Sequence, residues 1–328
     1  MKLTRRGVVA AGAAVTTLGM PALSQGTYPN RPIRMLVPYA AGGGQDITAR
    51  TLAEPMRERL GQPVIVENRT GASGMIAAQA LARAEPDGYT LMLGGAGETA
   101  LNHHLFKERM AYDPIRDITP VMVVVKVPIV VMSYPGAPFR TTEELIAYAK
   151  ANPERLSYSS SGIGNPQHLA GELLNSMAGI KTVHVPYRGA APAVTAIAAG
   201  EVQFGYNGLA AGLPLIQDGR IRAIAVTTRE KLPQLPDAPP LSAYAPLGNY
   251  ELVNFFGVFA PAATPDPIVE RIHGALADAL RVPALRTTFE NRGLLVEAMS
   301  PGDSRTFVVG AAETFGRVVK QANITMEG

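Results

Sequence analysis

The sequence predicts an α/β protein of two domains, one inserted in the other. Three observations carry this expectation. Short apolar runs, turn residues and helical stretches alternate along nearly the whole chain, the pattern of mainly parallel sheets flanked by helices. Two long apolar runs, Val121 to Met132 and Leu252 to Phe259, bracket a complete set of such units. The chain has 328 residues, and single cores stop growing at about 250.

Each element follows from local pattern. Ile33 to Val37 reads as a buried strand. Asp46 to Leu60 carries Ala49, Leu52, Ala53, Met56 and Leu60 along one helical face; Pro55 should kink it and Gly61 should end it. Val64 to Val66 is the next strand, Gly74 to Ala84 an alanine-rich helix, and Tyr89 to Leu93 a third strand. The run Val121 to Met132 is β-branched and broken by Pro128, as a segment passing between domains would be. Then come a helix from Thr142 to Lys150, a strand from Leu156 to Ser159, and a helix from Pro166 to Ala178. Val183 to Val185 is a strand, Ala190 to Ala199 a helix, and Val202 to Tyr206 and Ile221 to Thr227 are strands. A proline-dense loop, Pro233 to Pro246, leads to Leu252–Phe259 and the return crossing. The remainder is helical: Pro267 to Leu280, Pro283 to Arg292, and Pro301 to about Ala322. The prolines stand where a first helical turn accepts them. The division is a leader, 1–24, a discontinuous first domain, 25–126 and 229–328, and a second domain, 127–228. Two crossings make a hinge, and a ligand belongs in the cleft between the domains.

The leader sets the compartment. Lys2, Arg5 and Arg6 precede an apolar stretch from Gly7 to Leu18, and the small residues Ala22 and Ser24 suit a cut after Ser24. This is the order of a secretory signal peptide, and the stretch falls short of the ~20 apolar residues of a membrane span. Thr4-Arg5-Arg6 also fits a twin-arginine leader, with Val8-Val9 where that pattern prefers an aromatic or Leu, so both export routes stay open. The leader holds three of the 30 basic residues and none of the 27 acidic ones, which leaves a charge-balanced mature chain. No basic run interleaved with aromatics remains, so nucleic acid is not an expected partner. There is no cysteine, which excludes disulfides, zinc-thiolate sites, thiol nucleophiles and a lipid anchor on an N-terminal cysteine. An exported protein without an anchor is retained by an outer membrane, so the expected place is a diderm periplasm.

Three loops carry the chemistry. The first, Pro38 to Asp46, joins a strand to a helix through Gly42, Gly43 and Gly44. Small residues there allow close backbone approach, and a helix N-terminus suits an anion. Asp46 is expected to cap that helix; a tight turn without ligand is the alternative. No Walker lysine and no G-x-G-x-x-G accompany it, which weakens nucleotide binding. In the second loop, Glu67 to Gly74, Asn68 can tie the backbone, and Arg69 either grips a carboxylate or stays solvated. The third, Ser159 to His168, gathers hydroxyls, two glycines and a helix start. His168 there either touches ligand or serves as cap or packing.

These loops also carry a resemblance. Tyr28-Pro29-Asn30-Arg31-Pro32-Ile33, Val37 to Asp46, Val66 to Arg69, Gly71 to Gly74 and Pro86 to Thr90 resemble the substrate-binding proteins of tripartite tricarboxylate transporters, the Bordetella uptake gene family. Gly164 to Gly171, Val185 to Gly189, and Gly257 to Pro261 with Pro265 continue the match in the family's order. The resemblance implies a two-domain periplasmic binding fold, type II-like, closing on a small mono-, di- or tricarboxylate, aromatic acids included. It implies contacts from Tyr39, Ala40, Ala41, Gly42, Gly43 and Asp46, and from Ser160, Ser161, Gln167 and His168; Ser73 of the second loop is a further candidate contact. Gly164-Asn165-Pro166-Gln167 departs from the family's Gly-x-Gly-Ser, so Asn165 takes the serine's place. Tyr206 and Asn207, ending a second-domain strand, are candidates for reading the far end of the ligand. The implied partners are the ligand and transporter membrane subunits, with the protein a monomer; a sensor kinase as recipient stays open.

Enzymatic readings find little support. Ser73 lies in Gly71-Ala72-Ser73-Gly74-Met75, which lacks the last glycine of G-x-S-x-G. His103-His104 is adjacent and no H-E-x-x-H occurs, so neither a metal nor a cofactor is expected. His184 and His273 read as ordinary strand and helix residues, and Glu98, Asp113 and Asp117 as scattered solvated acids. A carboxylate-ester hydrolase is the remaining catalytic class.

Overall fold

Strand and helix alternate as the apolar pattern predicts, and they build two lobes. The computed structural model describes residues 28–322 and 324; the expected leader and its cut after Ser24 lie outside the described residues. The first lobe opens with β1 (Ile33–Val37), α1 (Gly44–Leu60), β2 (Val64–Asn68), α2 (Met75–Ala82) and β3 (Thr90–Gly95). A π-helical turn, Gly97–Leu101, runs into the short α3 (Asn102–Leu105). β4 (Ile118–Val127) leaves the lobe and, after Pro128 alone, becomes β5 (Ile129–Ser133) of the second. There follow α4 (Thr142–Ala151), β6 (Ser157–Ser160), α5 (Pro166–Ala178), β7 (Val183–Pro186), α6 (Ala190–Ala199), β8 (Phe204–Gly208), α7 (Leu209–Gln217) and β9 (Arg222–Val226). The chain returns as β10 (Asn254–Pro261) and ends with α8 (Asp266–Leu280), α9 (Pro283–Glu290), β11 (Leu295–Val296) and α10 (Pro301–Gln321).

Local chemistry sets the element ends. Gly61 closes α1 in the left-handed conformation, its N–H on the Arg57 carbonyl. Thr141, Asn165 and Ser300 cap α4, α5 and α10 with side-chain oxygens. The helix α7 is absent from the sequence-based expectation because Gly212 and Pro214 interrupt it. Packing supplies the reason for Gly212: a Cβ there would come within 2.4 Å of Met132.

Both sheets are mixed, which corrects the expectation of mainly parallel ones. The first runs β11-β4-β10-β3-β1-β2, and only β1 pairs in parallel, with β2 and β3. The second runs β7-β6-β8-β5-β9, and only β6 pairs in parallel, with β7 and β8. Helical crossovers impose parallel pairing, but the strands that join the lobes have no such crossover. β4 lies antiparallel to β10, and β5 antiparallel to β9. The two passages therefore run side by side. Thr227 fastens them: its N–H donates to the Ile129 carbonyl at 2.9 Å and its hydroxyl to the Leu252 carbonyl at 2.6 Å.

The proline-dense stretch, which the sequence assigns to the first domain, packs on the second sheet. The Val226 N–H donates to the Pro239 carbonyl at 2.9 Å. Leu232, Leu235 and Ala238 join the core formed by Val130, Val194 and Ile197. The return crossing consequently begins near Leu252.

Three cores hold the lobes. One lies under the first sheet, with Leu52 and Met56 of α1 against Ile272 and Leu276 of α8. The second holds β5 against α6 and α7. The third is continuous between lobes, from Ala77 and Met92 through Phe255 and Phe315 to Leu169 and Tyr206. The helix α10 contributes to it and is pinned to β4 by Ser304, which is fully buried and accepts from the Val123 N–H at 2.8 Å. Ser304→Ala should leave that amide unpaired and cost about 1–3 kcal/mol. Chemical denaturation would register the loss, and an unchanged midpoint would contradict this role.

Candidate ligand-binding site

Parallel pairing puts the carboxyl ends of β1, β2 and β3 on one edge of the first sheet. It puts those of β6, β7 and β8 on one edge of the second. Loops leaving such ends are where α/β sheets hold ligands. The two edges meet: Ser73 Oγ donates to the Ile163 carbonyl at 3.3 Å, and Gly164 lies against Phe106.

The first loop is fixed from below. Asn68, at the end of β2, donates to the Tyr39 carbonyl and to Asp46 Oδ1, each at 2.9 Å. Asp46 is not the helix cap that the sequence suggests. The cap is Gly43, and α1 starts at Gly44, where an added Cβ would lie 3.2 Å from the Phe256 ring. Asp46 instead reaches back from inside the first turn, its Oδ2 accepting from the Gly42 N–H at 2.9 Å. Arg50 donates to both carboxylate oxygens, at 3.0 and 3.1 Å. Burial pushes the Asp46 carboxyl up, but hydrogen bonds from Arg50, Gly42 and Asn68 outweigh it and hold the group below the usual range. Asp46 thus positions the loop. Ala40, Ala41 and Gly42 are exposed at its tip, and Tyr39 and Gly43 are half-buried.

The second loop is strained. Ala72 and Ser73 have φ of 47° and 52°, a left-handed conformation costing about 1–3 kcal/mol each outside glycine. Asn102 Nδ2 holds the turn by donating to the Ser73 carbonyl at 2.9 Å. Arg69 bonds Glu67 Oε1 at 2.7 Å and stays on the surface.

The third loop is held by side chains the sequence offered as ligand contacts. Asn165 caps α5, accepting from the His168 N–H, and donates to Ser161 Oγ, each at 3.0 Å. Ser160 is fully buried; it donates to the Gly162 carbonyl at 2.9 Å and lies 2.7 Å from His184 Nε2. His184 stacks on His168 with centroids 4.1 Å apart. Burial depresses both imidazoles, His168 to about 4 and His184, with its neighbour's help, to about 3. The Ser160 hydroxyl and His184 Nε2 are within hydrogen-bonding reach, and burial keeps the imidazole neutral. Gln167 and His168 are both 8% exposed, so His168 packs behind the loop.

Tyr206 and Asn207 diverge, because neighbouring strand residues face opposite ways. Tyr206 enters the continuous core, 5.5 Å from the Tyr158 ring. Asn207 faces away from that core; it is fully buried, and neither end of its amide has a partner among the described residues.

Three residues of this region escaped the sequence reading. Glu98 is 1% exposed, not solvated; its one sequence signal is that no other charge falls between Thr90 and Asn102. Gln45 bonds it, and His184 has its place in the stack. Asp113 accepts from the N–H groups of Ile115 and Arg116 in its own turn, and Asp117 pairs with Arg116 at 3.0 Å. No metal-holding cluster occurs among the described residues.

Four helix starts at the two edges share one property, unlike α5 with its Asn165 cap. α1, α2, α6 and α7 begin behind Gly43, Gly74, Gly189 and Gly208, none with a side-chain cap. Their first-turn N–H groups keep free donor capacity.

Known proteins match this arrangement. The chain matches the TctC family, the tripartite tricarboxylate transporter family receptor, over residues 48–324. Protein BugT of Bordetella pertussis is 32% identical over 330 residues, spanning 100% of both chains. R. palustris Rpa4515 with adipate superposes with a TM-score of 0.86 at 34% identity, over 91% of this chain and 99% of that one. MatC from Rhodopseudomonas palustris with bound malate gives 0.82 at 30% identity, over 89% and 100%. The chain therefore belongs to the tripartite tricarboxylate transporter receptor family, and its paired lobes and facing loops are those of a periplasmic solute-binding protein.

Proposed function

We propose that the cleft captures a small carboxylate and delivers it to the membrane subunits of a tripartite tricarboxylate-type transporter. The four glycine-started helices at the cleft carry this reading. Each contributes N–H donors and the positive end of a helix dipole, worth about 0.3–1 kcal/mol toward an anion at an exposed site. Related binding proteins hold adipate and malate, which fits a site built for carboxylates.

In this reading, the backbone of Ala40, Ala41, Gly42 and Gly43 meets one carboxylate, with Ser161 across the cleft. Tyr39, Asp46, Ser73, Ser160, Asn165, Gln167 and His168 hold the loops in place. Asn207 reads the far end of the ligand, its free amide able to donate and accept. The chain performs no chemistry on the solute. The lobes divide as 25–126 with 253–328, and 127–252. The leader is removed after Ser24 and frees the protein into the periplasm; no described helix is long and apolar enough to cross a membrane.

A thermal-shift screen tests the ligand class. Adipate, malate and other small acids should raise the melting temperature, since ligand at 100 times its Kd stabilises the native state by about 2.7 kcal/mol. Stabilisation by neutral sugars or amines alone would overturn the reading. Replacing Asn207 probes the far end: Asn207→Ala should weaken the preferred acid about tenfold by removing one hydrogen bond. Titration calorimetry giving the wild-type affinity would take Asn207 out of the site.

A further inference from the structure

A buried carboxyl lies directly behind the first and second loops. Glu98 sits in the π-helical turn after β3 and is 1% exposed; such turns recur at functional positions. Its Oε1 accepts from Gln45 Nε2 at 2.8 Å and from the Gly95 N–H at 2.5 Å. Its Oε2 has no partner among the described residues. That oxygen faces the second loop, where a Cβ added to Gly74 would come within 3.2 Å of it. Gln45 belongs to the first turn of α1, and Gly74 is the start of α2. One carboxyl therefore touches the beginnings of two helices that open on the cleft.

Nothing on the packed elements neutralises it. The Tyr39 hydroxyl of the first loop is within hydrogen-bonding reach of the carboxyl and favours its ionised form weakly, and Tyr112 donates to the Glu98 carbonyl at 2.7 Å. Burial, and then the Glu98 charge, pushes both phenols well above their usual range, so they stay neutral. Asp46, next to Gln45, is held ionised by Arg50. No salt bridge reaches Glu98 among the described residues. Burial pushes its own pKa from 4.5 to about 7, against weaker lowering by its hydrogen bonds.

We propose that Glu98 takes up a proton when a carboxylate ligand docks on the first and second loops, so that capture of the solute is proton-linked. The inference rests on the carboxylate reading above. An anion on the loop N–H groups and an ionised Glu98 behind them are like charges in a poorly solvated place, and each opposes the ionisation of the other. The balance is simple. One anion and one solvent proton enter together and leave together, and no bond of the ligand changes. Glu98 is a positioning residue in this scheme, acting through Gln45 and the second loop. Capture is favoured on the acidic side of neutrality and release on the alkaline side.

Calorimetry of wild-type protein with adipate and with malate, at pH 7.5 in two buffers of different ionisation enthalpy, counts the protons directly. Uptake of up to about three-quarters of a proton per bound acid is expected, because a group titrating at about 7 is already about one-quarter protonated at that pH. Affinity should weaken by up to about tenfold per pH unit above the Glu98 pKa, and Glu98→Gln should abolish both the uptake and the slope. A ligand-free measurement stands beside these. The folded state holds the Glu98 proton more tightly than the unfolded chain, so wild type should lose stability relative to Glu98→Gln as pH rises from 4.5 to about 7. Binding without proton uptake would overturn the proposal alone, as would equal pH profiles in wild type and variant. If no carboxylate of a wider panel binds, the carboxylate reading falls and the proposal with it. Should the variant not fold, the wild-type proton count decides.

Discussion

Thr227 bonds both passages between the lobes, and the geometry of the cleft depends on that pairing. Its N–H reaches Ile129 at the start of β5, and its hydroxyl reaches Leu252 just before β10. The two connections are neighbouring antiparallel strands, β4 with β10 and β5 with β9, so a narrow ribbon joins the two sheets. The rest follows from which strands remain. Those joined by helical crossovers are parallel and end on the facing edges, and their loops are the ones that meet at Ser73 and Ile163. The helix α10 closes the back, sharing a core with both lobes.

In the proposed function, anions are held without net charge on the site. Residues 25–328 are charge-balanced, and Arg69 is engaged with Glu67 on the surface. Donor capacity comes instead from helices that start on glycine, where no side chain competes for the first N–H groups. Two acids stand inside this donor-rich region and are handled oppositely. Asp46 is kept ionised by Arg50, Asn68 and a loop N–H, and its charge is consumed in holding the loop. Glu98 has full burial and no guanidinium beside it, so its carboxyl is pushed toward neutrality. A few hydrogen bonds decide between the two outcomes because, away from water, they are the main compensation an ionised group has.

Much of the fold was legible because helix and strand periodicity are local. α5 and α6 have the bounds the sequence predicts, Pro166–Ala178 and Ala190–Ala199, and Pro128 does separate β4 from β5. The mixed character of the sheets was not legible: alternation of elements reports crossovers, not where a strand is inserted, and β10 lies between β3 and β4. At the site, the loops were found but the division of labour within them was not. Asn165, Ser160 and His168 look like ligand groups in sequence, yet they bond or stack within their own lobe.

The sequence by itself determined the alternating elements, the double crossing, the glycines of the cleft loops and the family motifs. All of these rest on residue type and short spacing. Tertiary structure alone decided that Tyr206 enters the core while Asn207 faces away from it, that His184 stacks on His168, and that Glu98 is sealed from water. The reason is physical. Desolvation depends on which distant segments come to cover a group, and for Glu98 those are Gln45 of α1, the second loop and Tyr112. No pattern around residue 98 contains them.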